Sequence, residues 1–302
     1  FDADGNPTKA DQGFARGQGV KPEELVTKDG YVYAMVHEKG GQTVDLLGDT
    51  LKGRVDGLHF PNNMHRAALD YKFIRPLRWL VALYGQDVID FEVANVKSGR
   101  TSRGHRFLSE GDFEIADAED YVEACRKASI IVDQNERCEM IRQQIAEVAA
   151  ANGGQAEVNE DLLEEVLYLV EYPTALCGKF DEKYLALPAE AVITPMRDHQ
   201  RYFPVLKDGQ LLPLFITIRN GGKEHLETVQ HGNERVLRAR LEDAQFFFDE
   251  DRKKTLEQHG EKLKTVVFQD GLGTIYDKAL RLEVLAGYIA DAIGANEQDK
   301  KD

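Results

Sequence analysis

Four stretches hold the side chains best suited to chemistry. The first runs Lys97-Ser98-Gly99-Arg100-Thr101-Ser102-Arg103-Gly104-His105-Arg106, with four cations, one histidine and no acid. Arginine offers forked donors that match phosphate, glycine lets a backbone approach a ligand closely, and Thr101 and Ser102 add hydroxyls. The run reads as an anion or RNA-backbone loop, or as a solvated loop paired with acidic neighbours. The second, Met196-Arg197-Asp198-His199-Gln200-Arg201-Tyr202-Phe203, places Arg197, His199 and Arg201 on one face if the backbone is extended. That face suits an RNA contact. A histidine also suits proton transfer near neutrality, although a lone one is more often structural. The third, Gly232 to Leu241, offers Asn233 as a helix N-cap with Arg235, Arg238 and Arg240 in the first two turns, where the helix dipole disfavours cations. Either Glu234–Arg238 and Arg238–Glu242 pairs at i,i+4 offset this, or cap and arginines together hold an anion. The fourth, Phe246-Phe247-Phe248, puts three aromatics on different helix faces, as core packing or as a stacking platform for bases.

Catalytic signatures are missing. No phosphate loop, HExxH pair or GxSxG elbow occurs, and Gly271-Leu272-Gly273 is a lone GxG that reads as a helix-entry turn. No catalytic and no metal-binding residue is assigned. The three cysteines, Cys125, Cys138 and Cys177, show no CxxC spacing, so they read as buried free thiols in a reducing cytoplasm. A net charge of −15 excludes a surface coated for nucleic acid. Any RNA contact must be a local basic patch on an acidic body, and no DNA partner is expected. No apolar run approaches a membrane span, so no membrane partner is expected either, and Phe1-Asp2-Ala3-Asp4 lacks the apolar core of a secretory signal.

These stretches must be positioned by elements readable from periodicity. Asp11–Gly19 and Thr43–Leu51 read as short helices, with a strand at Tyr31–Val36 between them. Phe73–Leu83 is apolar and reads as helical or mixed. Val88–Val96 alternates as a half-buried strand. Asp133 and Glu136 have capping-box spacing ahead of a face made by Cys138, Ile141, Ile145 and Val148. Asn152-Gly153-Gly154 stops that helix. Asn159 caps the next, whose face is Leu163, Val166, Leu167 and Val170. Lys207-Asp208-Gly209 marks a hairpin between Arg201–Val205 and Leu211–Ile218. A long helix is expected from Asn233 to about Gly260 and another from Gly273 onward, with Ala279, Leu282, Leu285, Ala286 and Ile289 apolar. The class is α+β with a mixed sheet, followed by helix. The 302 residues allow one large or two to three modest domains. The turn-like opening without an initiator methionine, and the open helical pattern at Glu297–Asp302, are those expected of a piece of a longer chain.

Taken in order, several segments resemble one family. They are Pro7-Thr8-Lys9-Ala10 with Gly13-Phe14-Ala15-Arg16, Phe73 to Leu83, Gly104-His105-Arg106-Phe107, Val170-Glu171-Tyr172-Pro173, Met196 to Phe203, Gly232 to Leu241, and Asp243-Ala244 leading into Phe246-Phe247-Phe248. The ordered set resembles the β subunit of bacterial tetrameric glycyl-tRNA synthetase over essentially the whole chain. It departs from the pattern at Met64-His65-Arg66 and at Gly17. The resemblance implies an α2β2 heterotetramer in the cytoplasm. In it the α subunit activates glycine with ATP and magnesium, and the β subunit supports charging by binding tRNA(Gly). It further implies a small α/β segment at 1–56 and, at 57–268, an α+β domain like the editing-type domain of phenylalanyl-tRNA synthetase β chains. Residues 269–302 would begin an all-helical HD-like domain. No cofactor is expected on this piece, nor catalysis by it alone. The tRNA-binding candidates are Arg100, Arg103, His105, Arg106, Arg197, His199, Arg201, Arg235 and Arg238. A scaffold for α/β assembly and an editing hydrolase module stand as alternatives.

Overall fold

The computed structural model describes residues 1, 6–36, 40–66 and 68–301. The opening Asp2–Gly5 and the final Asp302 lie outside them. The chain divides into two compact units. The first holds residues 1–102 and 112–121, and the second holds 103–111 and 122–302.

The first unit is built from short pieces. α1 (Lys9–Gln18) is capped by Thr8 and ends on left-handed Gly19. The hairpin β1 (Leu25–Lys28) and β2 (Tyr31–Ala34) follows, and α2 (Thr43–Asp56) runs five residues past the expected Leu51. A second hairpin pairs β3 (Met64–Arg66) with β4 (Leu69–Phe73). Phe73–Leu83, expected as helical or mixed, forms no helix. It gives β5 (Leu80–Val81) and the start of β6 (Leu83–Tyr84), which pairs with β7 (Asp87–Val88). Pro76 explains this, since it lacks an N–H donor and drives Arg75 away from helical angles. Val88–Val96 is likewise not one strand. β8 (Glu92–Val93) turns back on β9 (Val96–Gly99) through Ala94 and Asn95, both at positive φ. The expected alternation nonetheless fits the packing, with Ile89 and Val93 buried and Asp90 and Glu92 exposed. β5 pairs with β9 in parallel, so mixed pairing is found in this small sheet. β10 (Thr101–Arg103) and β11 (Asp112–Glu114) form a further ribbon.

The second unit is organised on one antiparallel sheet. Its order is β12 (Gln155–Ala156), β14 (Phe203–Lys207), β15 (Gln210–Asn220), β13 (Pro173–Lys179). Asp208 and Gly209 both have positive φ, the type I′ geometry that matches strand twist. Neighbouring residues of one strand face opposite sides, so the sheet feeds two cores. On one side Phe203, Val205 and Ile216 pack on Ile141, Ile145, Leu163 and Val166. These come from α4 (Gln134–Ala151) and α5 (Glu160–Leu169), which follow the short α3 (Tyr121–Lys127). On the other side Tyr202 and Phe215, stacked at 4.4 Å, pack on Met196, Leu237 and Leu241. The elements here are α6 (Ala189–Thr194), one π-helical turn at Pro195–His199, and α7 (Leu226–Asp251).

Local capping explains the helix limits. Asp133 accepts from the backbone N–H groups of Asn135 and Glu136. The Glu136 carboxylate, however, turns to Arg126 in a two-pronged pair, so only half of the expected capping box forms. Asn159 accepts from the Leu162 N–H at 3.0 Å. After α7 come α8 (Leu256–Gly260), a hairpin of β16 (Val267–Gln269) and β17 (Gly273–Thr274), and α9 (Ile275–Ala292), capped by Thr274. α9 forms as expected, yet none of its residues is buried, and Leu282, Leu285, Tyr288 and Ile289 are exposed.

Candidate nucleic-acid interface

Within the second unit, residues 104–109 form a tight loop fixed from three sides. The His105 N–H donates to the Ala128 carbonyl at 2.9 Å, and the N–H groups of Leu108 and Ser109 both return to the His105 carbonyl. The Phe107 N–H donates to His105 Nδ1 at 3.3 Å. That leaves Nε2 as the protonated nitrogen, 3.1 Å from Asn220 Oδ1. Asn220 Oδ1 also accepts from the N–H groups of Glu171 and Tyr172 at 3.0 and 3.1 Å. One amide oxygen therefore joins the loop, the end of β15 and the entry to β13. Gly104 is required sterically, because a Cβ there would lie 2.2 Å from Ser109 Oγ and 3.1 Å from Ala128 Cβ. The outcome is a rigid stem beneath two exposed side chains, Arg106 and Phe107, the latter 80% exposed. The Phe107 ring leans on the His105 imidazole at 6.3 Å.

The remaining cations of the first basic run are used differently. Arg100, in the first unit, donates to the carbonyls of Ile115, Ala116 and Gln86 at 3.3, 3.0 and 2.8 Å. Its guanidinium is a structural staple, and it is not presented as a free RNA contact. His105 is 2% exposed, so it positions the loop and cannot itself meet RNA. Arg103 is exposed and also engaged within the protein.

The second stretch corrects the extended-face reading. The π-helical turn spans Pro195–His199, Arg201 has φ 58, and β14 begins only at Phe203. Arg197, His199 and Arg201 therefore share no strand face. Arg197 pairs with its neighbour Asp198 at 2.9 Å, and Arg201 binds Glu165 at 2.7 Å while also donating to the Asp198 and His199 carbonyls. The Arg197–Asp198 bond holds the Arg197 guanidinium above its ordinary range. His199 is exposed. The motif's buried members pack instead: Met196 lies in the core, and Tyr202 donates to Asn233 Oδ1 at 2.8 Å. Burial pushes the Tyr202 hydroxyl up to about 12.

The third stretch is also re-read. α7 starts at Leu226, seven residues before Asn233, so Asn233 is not a cap. The arginines sit in mid-helix, clear of the dipole penalty, which fades beyond the first turn. The expected Glu234–Arg238 pair is replaced, because Glu234 is buried and accepts from the Lys179 N–H and from Gln230. Arg235 and Arg238 are exposed and, among the described residues, make no ion pair or hydrogen bond. In the fourth stretch Phe248 packs into the core beside Leu241, while Phe246 and Phe247 stand exposed, edge to face at 5.5 Å.

Each unit also carries a cleft. One of about 380 Å³ in the second unit is bounded by Gln144, Glu147, Tyr172, Gly222 and Lys223. One of about 360 Å³ in the first unit is lined by Trp79, Val81, Leu83 and Tyr121. Among the described residues no group of three His, Cys, Asp or Glu side chains could hold a metal. No helix among them is long and apolar enough to cross a membrane. No disulfide joins Cys125, Cys138 or Cys177, and desolvation pushes Cys177 up to about 11, away from reactivity. Sequence reasoning missed Asn220 and Lys223 as site residues, and left Phe107 out although it directly follows Gly-His-Arg.

Residues 1–301 match the family model described as glycyl-tRNA synthetase beta subunit. The glycine--tRNA ligase beta subunit of Desulforamulus reducens is 50% identical over 100% of this chain and 44% of its own length. That of Clostridioides difficile is 50% identical over 97% of this chain and 43% of its own. That of Bacillus subtilis is 46% identical over 100% of this chain and 45% of its own. The chain thus spans less than half the length of these relatives.

Proposed function

This chain belongs to the glycyl-tRNA synthetase β-subunit family, and from that premise we propose that it is a tRNA-handling portion of a glycine--tRNA ligase. It contributes no catalytic residue of its own. Glycine activation with ATP and magnesium falls to an α subunit, two of which join two β subunits in the cytoplasm. The observation that carries the reading is a set of exposed cations without partners among the described residues, Arg106, Arg235 and Arg238, on a chain of net charge −15. An exposed arginine without a partner among the described residues breaks no existing bond on turning to phosphate, whereas Arg100 and Arg201 would have to give up theirs. Affinity of such a surface falls steeply with salt, each phosphate contact contributing about one unit to the log–log slope.

The test is binding of tRNA(Gly) to the assembled ligase across a salt series. The Arg235→Ala/Arg238→Ala double variant should weaken binding and lower the slope by about two. An unchanged slope and unchanged affinity would overturn the reading. A scaffold role has its own support in the exposed apolar side of α9. It fits residues 269–302 as the start of a helical domain of HD-like kind, following an editing-type-like domain. An editing activity would show as deacylation of mischarged tRNA above the spontaneous rate.

A further inference from the structure

We propose that the Gly104–Ser109 loop is a contact for one unpaired nucleotide of the bound RNA, with Phe107 stacking on the base and Arg106 pairing its phosphate. The inference rests on the tRNA-handling reading above and adds a specific recognition mode to it.

An exposed phenylalanine is ordinary on a mobile loop. Here the loop is immobilised by His105, Asn220, Ala128 and the steric closure around Gly104. The Phe107 ring meets His105 at a tilt of 57° and is otherwise open to solvent. Its neighbour Arg106 has no hydrogen bond or ion pair among the described residues. An exposed aromatic beside an exposed cation on a fixed backbone is an arrangement that can stack a base and hold its phosphate, because every base has a π-face. Charge favours RNA over a protein partner: residues 97–109 contain no acid, and the first one beyond them is Glu110. The neighbouring surface extends the path. Leu108 approaches Gly222 so closely that a Cβ there would lie 3.1 Å from it, and Gly222 lines the 380 Å³ groove with Tyr172 and Lys223 on its rim. Glu147 is the acid and Lys223 the cation in the lining of that groove, so a phosphate continuing along it is drawn to Lys223.

The experiment measures tRNA(Gly) affinity of the assembled ligase, carrying the complete β subunit, for Phe107→Ala, Phe107→Trp, Arg106→Ala and Arg106→Lys. Phe107→Ala should weaken binding about tenfold or more with the salt slope unchanged. Phe107→Trp should bind as well as the parent. Arg106→Ala should reduce the slope by about one, and Arg106→Lys should restore it. Sedimentation of each complex reports assembly. Affinity within twofold for both alanine variants, in a complex whose Arg235→Ala/Arg238→Ala form does lose binding, overturns the loop contact and leaves the tRNA role standing. Insensitivity of all of them overturns both. Loss of α-subunit association in Phe107→Ala, with RNA affinity intact, overturns the proposal in favour of a protein-docking loop.

Discussion

Asn220→Ala should release the loop, and its cost can be worked from the bonds the side chain accepts. Oδ1 takes three N–H groups, from His105 at 3.1 Å, Glu171 at 3.0 Å and Tyr172 at 3.1 Å. His105 is buried, so its Nε2–H would lose its partner at about 1–3 kcal/mol, with water able to reach it only through the space left by the exposed Asn220 side chain. Glu171 and Tyr172 are better exposed, so their amides regain water and each loses only the net value of a bond, roughly 0.5 kcal/mol. The sum is about 2–4 kcal/mol. Against a typical stability of about 5–15 kcal/mol, that change is easily resolved by urea unfolding followed by circular dichroism. Asn220→Asp keeps an acceptor of the same shape and should stay within about 1 kcal/mol of the parent. A local readout is tryptic cleavage after Arg106. A loop loosened by about 2 kcal/mol opens roughly 30-fold more often, since about 1.4 kcal/mol is tenfold, so cleavage in Asn220→Ala should accelerate accordingly. Stability within 0.5 kcal/mol of the parent with no faster cleavage, or Asp as damaging as Ala, would refute the three-way junction.

Three further outcomes are expected. Gly178→Ala drives a Cβ to 2.2 Å from the buried Phe215 ring, so it should destabilise by about 1–3 kcal/mol, with Phe215→Leu as a partial rescue in thermal unfolding. Tyr184→Phe removes a buried hydroxyl that has no partner among the described residues. It should leave the melting temperature unchanged or raise it, and a fall would show that the hydroxyl is satisfied. Cys177 holds its proton up to about 11 against an ordinary 9.0, through desolvation and then the Glu234 carboxylate. The folded state thus keeps a proton that the unfolded chain releases, so this group's stabilisation is complete below about 9 and declines as pH rises from there towards 11. At pH 8 iodoacetamide should modify Cys177 on the order of a hundredfold more slowly than in the denatured chain, and equal rates would contradict the burial.

Local chemistry made much of the second unit legible. Asp133, Asn159 and Asp208-Gly209 act through bonds and backbone angles within a few residues, so the helices α4 and α5 and the β14–β15 hairpin follow from the chain itself. Apolar content misled at Phe73–Leu83, where Pro76 was the informative residue. Asn233 misled for a different reason: its side chain is engaged by Tyr202, 31 residues away, and α7 begins earlier with no side-chain cap at all. The basic loops were found from composition, but composition shows charge and not its destination. Arg100 finds carbonyls at Gln86, Ile115 and Ala116, and Arg201 finds Glu165. The loop that presents Arg106 and Phe107 is anchored in part by Asn220, more than a hundred residues later, through the histidine beside them.

Arg137 lies buried without a carboxylate partner among the described residues, its guanidinium held by the carbonyls of Leu167, Ile131 and Val132, much as the carbonyls around Arg100 hold that side chain. Uncharged acceptors are not screened by electrolyte in the way an exposed ion pair is. The protein therefore carries two populations of arginine with opposite solvent reactivity. Phenylglyoxal should tag Arg106, Arg235 and Arg238 early and Arg137 and Arg100 late, at low and high ionic strength alike. An RNA footprint read by that reagent comes with its own internal reference, in which protection of the early sites against a constant late signal maps the nucleic-acid path across an otherwise acidic surface.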